Sequence, residues 1–110
     1  MLYRLFYVSH AVGDMDDQTV DALADYASTN NQKNEIVGAL CFNGRQFGQM
    51  LEGPQDAIFK LLDKIRADER HRDMIIVGEK TIRRRYFKDF HMKRVRGMDF
   101  DDLITAMASE

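Results

Sequence analysis

Cysteine, proline and long apolar runs are all scarce in this chain, and each scarcity excludes something. Cys41 is the one cysteine, so no disulfide can form within the chain and a reducing, cytoplasmic setting is expected. One proline and seven glycines exclude a collagen-like or low-complexity chain. No apolar stretch approaches the ~18 residues of a membrane span. The opening MLYRLFYVSH lacks the apolar run and cleavage site of a secretory leader, so none is expected. His10, His71, His91 and Cys41 have no metal-ligand spacing, and no metal site is expected. Net charge is −2, which offers no general attraction to nucleic acid.

Other chemistries are equally poorly supplied. The stretch from Gly44 to Gly48 lacks the Gly-Lys-Ser/Thr ending of a phosphate loop, and no nucleophile–base–acid set follows from spacing. The loop after the first strand is acidic, which disfavours a phosphate-cradling hydrolase. No enzyme is expected.

What remains is one domain of 110 residues, 45% hydrophobic and so able to bury a core. Residues 2–9 read as a strand, with Tyr3, Leu5, Tyr7 and Ser9 on one face and Leu2, Arg4, Phe6 and Val8 on the other. Asp16 or Asp17 caps a helix over 17–31, with Val20, Leu23, Ala24 and Ala27 as its apolar stripe. The apolar run 36–42 reads as a buried strand, and Asn43-Gly44 as a type I′ hairpin turn. A strand over 46–51 follows and is expected to break at Glu52-Gly53-Pro54. Pro54 opens a helix with Ile58, Leu61, Leu62 and Ile65 on its apolar face. Residues 68–73 read as a charged turn, 74–82 as a fourth strand and 87–95 as a fifth. Phe100, Leu103, Ile104 and Met107 give the last segment a helical apolar stripe.

The fold class is therefore α+β, a ferredoxin-like βαββαββ sheet with two helices on one face and a C-terminal helix. Phe6, Val8 and Met50 lie on the opposite face, where the trailing helix or a second copy of the chain is expected to cover them. The charges are segregated: Asp14, Asp16, Asp17, Asp21 and Asp25 precede the middle of the chain, whereas residues 83–96 carry seven Lys or Arg. Such a surface orients a partner or is simply a pair of solvated faces.

Three polar residues stand out. Tyr7 and Gln49 point toward the helices, where apolar residues belong, and Asn31 ends the first helix near the same edge. A buried glutamine needs partners for its donors and its acceptor, each unpaired group costing about 1–3 kcal/mol. Tyr7 and Gln49 could satisfy each other and fix strand register without any ligand.

The segments YRLFYVSHA, Asn30-Asn31, EIVGALCFNGRQFGQMLEGP, IRADERHRD and YFKDFHMKRV together resemble the BLUF family of blue-light sensors using FAD. The resemblance covers about residues 2–95 and is densest at Phe47-x-Gln49-x-Leu51-Glu52-Gly53. It implies a flavin-binding domain over 1–96, to which the apolar stripe of the last segment adds an amphipathic helix over 97–110. It also implies a non-covalently held flavin: FAD, with FMN or riboflavin as other occupants. Tyr7 matches the tyrosine that reduces the excited flavin, Gln49 the glutamine between that tyrosine and the ring, and Met92 the methionine that relays the signal. Asn31 and Asn30 match ring-binding positions, Leu23 and Ile65 the side chains that sandwich the ring, and Lys64, Arg70 and His71 candidates for the phosphate tail.

Two departures are visible. Phe90 stands where the family often has tryptophan, and Ile36-Val37-Gly38 where it usually has Ile-Thr-Gly. The implied function is a blue-light receptor whose output passes through an unidentified protein partner or a change of oligomer. A flavin-free interaction module on the same fold and a small flavin-using enzyme are the competing readings.

Overall fold

The computed structural model describes residues 1–88, 91–95 and 100–109. Its elements are β1 (Leu2–Ala11), α1 (Asp17–Lys33), β2 (Val37–Phe42), β3 (Gln46–Pro54), α2 (Gln55–Arg66), β4 (His71–Ile82), β5 (Lys93–Val95) and α3 (Asp101–Ala108). The sheet order is β4-β1-β3-β2-β5. β3 lies antiparallel between β1 and β2, β4 runs antiparallel to β1 on one edge, and β5 pairs parallel with β2 on the other. The first four strands thus give the ferredoxin-like arrangement, with a short fifth strand added.

Alternation along β1 and β3 builds two cores from one sheet. Leu5, Tyr7, Phe47 and Leu51 face α1 and α2, meeting Val20, Ala24, Ile58 and Leu62. Phe6 and Met50 face the other way and meet Phe87, Leu103 and Ala106. The trailing helix is therefore the cover that Phe6, Val8 and Met50 required. It packs over Gly48 and Gly78 of the sheet. A Cβ on Gly48 would lie 3.5 Å from Leu103, and one on Gly78 3.2 Å from Met107.

Local boundaries differ from the sequence reading in four places. β3 continues through Glu52 and Gly53 to Pro54, which pairs with Leu2; a proline is tolerated at a strand's end, and Glu52 is held there by Arg4. The hairpin is not type I′, since Gly44 has φ 97° but Asn43 is not among the positive-φ residues. Instead the Asn43 side-chain oxygen accepts from the backbone N–H of Arg45 at 3.0 Å and Gln46 at 2.8 Å, an Asx turn. β4 begins at His71, three residues earlier than expected, because His10 and Ala11 extend β1 and pair with Arg72 and His71. The fifth strand is confined to Lys93–Val95. Its neighbour β2 offers it three register pairs, Ala39, Leu40 and Cys41.

The first helix starts where Asp16 caps it, its carboxylate accepting from Thr19 N–H at 2.7 Å. The segregated charges meet across it: Arg94 of β5 pairs with Asp17 at 3.0 Å and Asp21 at 3.3 Å. Among the described residues no helix is long and apolar enough to cross a membrane. Nor does any cluster of His, Cys, Asp and Glu there have metal-site geometry. Phe90 lies outside the described residues.

On the α3 face one ion pair is wholly buried. Arg4 and Glu52, directly opposite each other in register, bond at 2.8 Å with neither side chain exposed. Glu52 also accepts from the backbone N–H groups of Tyr86 and Phe87, each at 2.9 Å. Arg4 donates to the Ser109 carbonyl at 2.6 Å. The pair therefore ties three separate pieces together: the central strands, the segment after β4 and the end of α3. Leaving one charge of such a pair unpaired costs about 3–5 kcal/mol. Arg4→Met should lower stability by about 3 kcal/mol in urea unfolding in the dark. Glu52→Ala should cost more, because it also strands the two backbone donors. Losses below about 1 kcal/mol, the scale of an exposed pair, would contradict this account.

Candidate functional site

The α1–α2 side of the sheet is incompletely filled. Val20 and Ala24 of α1 and Ile58 and Leu62 of α2 are buried. Leu23, Ala27, Leu61 and Ile65, one step around each helix, are only partly buried and pack at the margin of the core. These apolar residues form the facing walls of a cleft of about 810 Å³ that runs between the helices down to the sheet. Stripes wider than the protein core requires are thus divided between core and cleft.

The floor is polar at its centre. The register sets Tyr7 of β1 opposite Gln49 of β3. The Tyr7 hydroxyl donates to Gln49 Oε1, and Gln49 Nε2 donates to Met92 Sδ at 3.7 Å. All three residues are less than a tenth exposed. Burial pushes the Tyr7 phenol well above its usual range, with the Asp68 charge adding to it. Tyr7 therefore keeps its proton and acts as a donor. The amide orientation follows from the same logic: turned over, its oxygen would face a thioether that has no hydrogen to give.

Asn31 is fixed by α1's last turn. Its backbone carbonyl takes the N–H groups of Asn34 and Ile36, both at 3.0 Å. Its side-chain nitrogen donates to the His91 carbonyl at 2.8 Å. His91 is itself held, with Nδ1 donating to the Ile36 carbonyl at 3.0 Å. Asn31 is 2% exposed, yet its side-chain oxygen takes no hydrogen bond among the described residues. Asn30 lines the cleft beside it, half-buried.

Lys64, Arg70 and His71 all line the cleft as well, but their settings differ. Lys64 is exposed on α2. Arg70 is gripped by Asp68, which takes its Nε and Nη2. That contact holds the Asp68 carboxyl down at about 2 and raises the guanidinium. His71 is fastened inward. Its Nε2 donates to the Ile65 carbonyl at 2.5 Å, so its Nδ1 is left to accept from the Ser9 hydroxyl at 2.8 Å.

The sequence reading overlooked His91, Ser9 and Asp68. Ser9 shares Tyr7's face and so could have been found; His91 acts mainly through its backbone, which leaves no signal in residue type.

A flat heteroaromatic ring fits this slot. The volume lies within the roughly 300–1,000 Å³ of small-molecule sites. The walls are apolar, and at the floor an unpaired Asn31 acceptor and the second amide hydrogen of Gln49 are available. Those are the groups that a flavin's edge of alternating carbonyls and ring nitrogens would satisfy. The protein's own residues leave the slot open.

Comparison with known proteins accords with this geometry. The BLUF family model, "Sensors of blue-light using FAD", matches residues 2–93. The blue light- and temperature-regulated antirepressor BluF of Escherichia coli (strain K12) is 32% identical over 75 residues, 68% of this chain and 19% of that protein. Photoactivated adenylate cyclase subunit beta of Euglena longa is 36% identical over 86 residues, 78% of this chain and 10% of the relative. The chain thus spans a fifth or less of the length of these relatives. A structure of Klebsiella pneumoniae BlrP1 with FMN and cyclic diGMP superposes with a TM-score of 0.83 at 31% identity, over 99% of this chain and 31% of that one. A family model that fits nearly all of the sequence, on a fold its relatives share, places the chain in the BLUF family of blue-light sensors that use FAD.

Proposed function

We propose that Tyr7, Gln49 and Met92 form the switch of this photoreceptor and that its output passes through a partner. The observation that carries the reading is the buried chain of contacts from the Tyr7 hydroxyl through the Gln49 amide to the Met92 sulfur. A flavin held between Leu23 and Ile65, with Asn31 and Asn30 at its edge, would supply blue absorption and, once excited, an electron acceptor. Lys64, Arg70 and His71 also line the cleft and would be candidates to hold a phosphate tail.

The chain's own part is a proton and an amide. Tyr7 holds its proton on a hydrogen bond already directed at Gln49 Oε1. Loss of an electron makes the phenol strongly acidic, so the proton moves along that bond. When electron and proton return, the Gln49 amide is left rotated or tautomerised. It would then present a stronger donor toward a bound ring, whose absorption would shift to the red with no net chemistry. Met92 loses its N–H contact in the process and passes the change to β5, which follows it directly.

The curated relatives are, by name, an antirepressor and a cyclase subunit, and what they share with this chain is a small part of each. The shared part is the sensor. A protein partner or a second copy of the chain would receive the signal, in the cytoplasm.

Three measurements check this reading. Gln49→Leu should retain flavin but lose the light-induced red shift; a shift of normal size in that variant would defeat the mechanism. Met92→Ala should keep the shift yet reduce light-dependent hydrogen exchange in β5 and α3, and unchanged exchange there would remove Met92 from the route. The third concerns pH. Because Tyr7 in the folded state titrates above the ordinary ~10, its contribution to stability is complete below that pH and declines above it. Unfolding above about pH 10 should therefore release one more proton in the parent protein than in Tyr7→Phe. Identical pH slopes for the two proteins would show that Tyr7 is not held as a phenol.

A further inference from the structure

β4 is the longest strand, at 12 residues, and it lies at one edge of the sheet. Among the described residues no strand pairs with its outer side. Open edges are guarded in most proteins by shortness, charge, proline or a bulge, because their free N–H and C=O groups invite another chain. The middle of β4, Met74-Ile75-Ile76-Val77-Gly78, has neither charge nor proline. Ile75 is 62% exposed and Val77 55%, so the fold leaves this apolar stretch in water. A bulge is present: between Phe6 and Tyr7 the pairing on β4 steps from Gly78 to Ile76, which makes Val77 an extra residue. A bulge spoils pairing with an ordinary strand, because two residues then oppose one. A strand with the same extra residue at the facing position restores the count.

Two-fold pairing of β4 with a second β4 is antiparallel and isologous, and residues directly opposite each other must share a face. Ile75 and Gly78, opposite Val8 and Phe6, lie on the α3 face; Ile76 and Glu79, opposite Tyr7 and Leu5, lie on the α1–α2 face. Met74 packs on that second face too. Ile76 or Val77 set opposite its own copy brings residues of different faces together, as does Ile75 opposite Ile76. Val77 opposite Gly78 keeps the faces but sets Ile75 against Lys80 and Ile76 against Glu79. Ile76 opposite Val77 keeps the faces as well, with Ile75 meeting Gly78 and Met74 meeting Glu79. That register alone also brings Asp73 to Lys80, twice across the axis. Asp73 is free to turn there, since its side chain is 68% exposed and reaches Arg72 only across 3.8 Å. The same register sets Ile75 of one copy beside Gly78 of the other, against the Met107 side chain that lies over that glycine. Ile104, 56% exposed, stands three residues before Met107 on the same side of α3.

We infer that the outer edge of β4 is a homodimer interface, at which two copies join into one continuous sheet with α3 of each copy beside the seam. A second copy is the occupant because β4 itself supplies both the matching extra residue and the reciprocal Asp73–Lys80 pairs. A foreign strand would supply neither. Backbone hydrogen bonds hold such a seam, and the opposite charges fix its register. The interface lies on the far side of β1 from β3 and does not depend on what the cleft holds.

The test is sedimentation of the purified chain in the dark over a micromolar concentration series. The parent should dimerise. Lys80→Asp and Asp73→Lys should each weaken self-association about tenfold or more, since each turns two attractive exposed pairs into repulsive ones. Mixed in equal amounts, the two variants should form a heterodimer as tight as the parent, because lysine then faces aspartate at both positions. Circular dichroism matching the parent shows that each variant folds, and the recovery in the mixture requires it of both. A parent that stays monomeric overturns the inference, as does a dimer that neither variant weakens. Folded variants that fail to associate on mixing also overturn it. In each case a normal light-induced red shift in the parent leaves the photoreceptor reading standing.

Discussion

The register of β1 on β3 is the constraint from which the rest of the molecule follows. One alignment sets Tyr7 opposite Gln49 on the helix side and Phe6 opposite Met50 and Arg4 opposite Glu52 on the other. Because side chains alternate along a strand, a slip of one residue would exchange the two faces. The switch would then lie under α3, and the ion pair would stand on the floor of the cleft. Both polar pairs are buried, and the bonds within each form only in this alignment. They add little net stability, since removing charge and amide from water costs about what the pairing returns. What they supply is discrimination: any other register strands several buried polar groups at about 1–3 kcal/mol each.

The cleft is a cost that this arrangement accepts. Leu23, Ala27, Leu61 and Ile65 are apolar residues on good helical spacing that the protein does not fully bury. At about 25 cal/mol per Å², such wall surface is stabilisation that the chain alone forgoes. A bound ring would recover it and would also satisfy the Asn31 acceptor. The same geometry that weakens the empty fold therefore supplies the affinity for its ligand, and ligand binding appears as folding stability through mass action.

Much of this was legible in the sequence. The strands, both long helices and the trailing helix follow from periodicity, and the inward aim of Tyr7 and Gln49 follows from counting alternate residues along 2–9 and 46–51. The burial of Phe6 and Met50 under a late helix was implied by their facing away from the first two. The departures arise from particular interactions, some of them between residues distant in sequence, that residue type alone does not record. Glu52-Gly53-Pro54 has turn composition, but Arg4, 48 positions earlier, retains Glu52 in the sheet. Asn43-Gly44 matches a two-residue turn, but an Asx bond to Gln46 gives a longer link. In the site, residue types drew attention to Tyr7, Gln49 and Asn31, and the family resemblance to Met92, whereas His91 acts through its carbonyl and has no side-chain signature for that.

Why a disturbance at Gln49 should leave through Met92 can be argued from the contacts on its two sides. Toward Tyr7 the amide faces central strands, β1 and β3, paired along nine positions and backed on the far face by the Arg4–Glu52 pair. Toward Met92 it makes a single contact to sulfur, a weak acceptor, at 3.7 Å. Beyond Met92 lies a three-residue edge strand joined to α1 by Arg94. That link ends on Asp17, whose side chain is 75% exposed, and on Asp21, whose side chain is 36% exposed, so each pair is worth on the order of 1 kcal/mol or less. A reoriented amide therefore meets stiff packing on one side and weakly held structure on the other. On the proposed reading the change would be taken up where resistance is least, so that β5 would carry it while the β1–β3 register stays in place for the next photon.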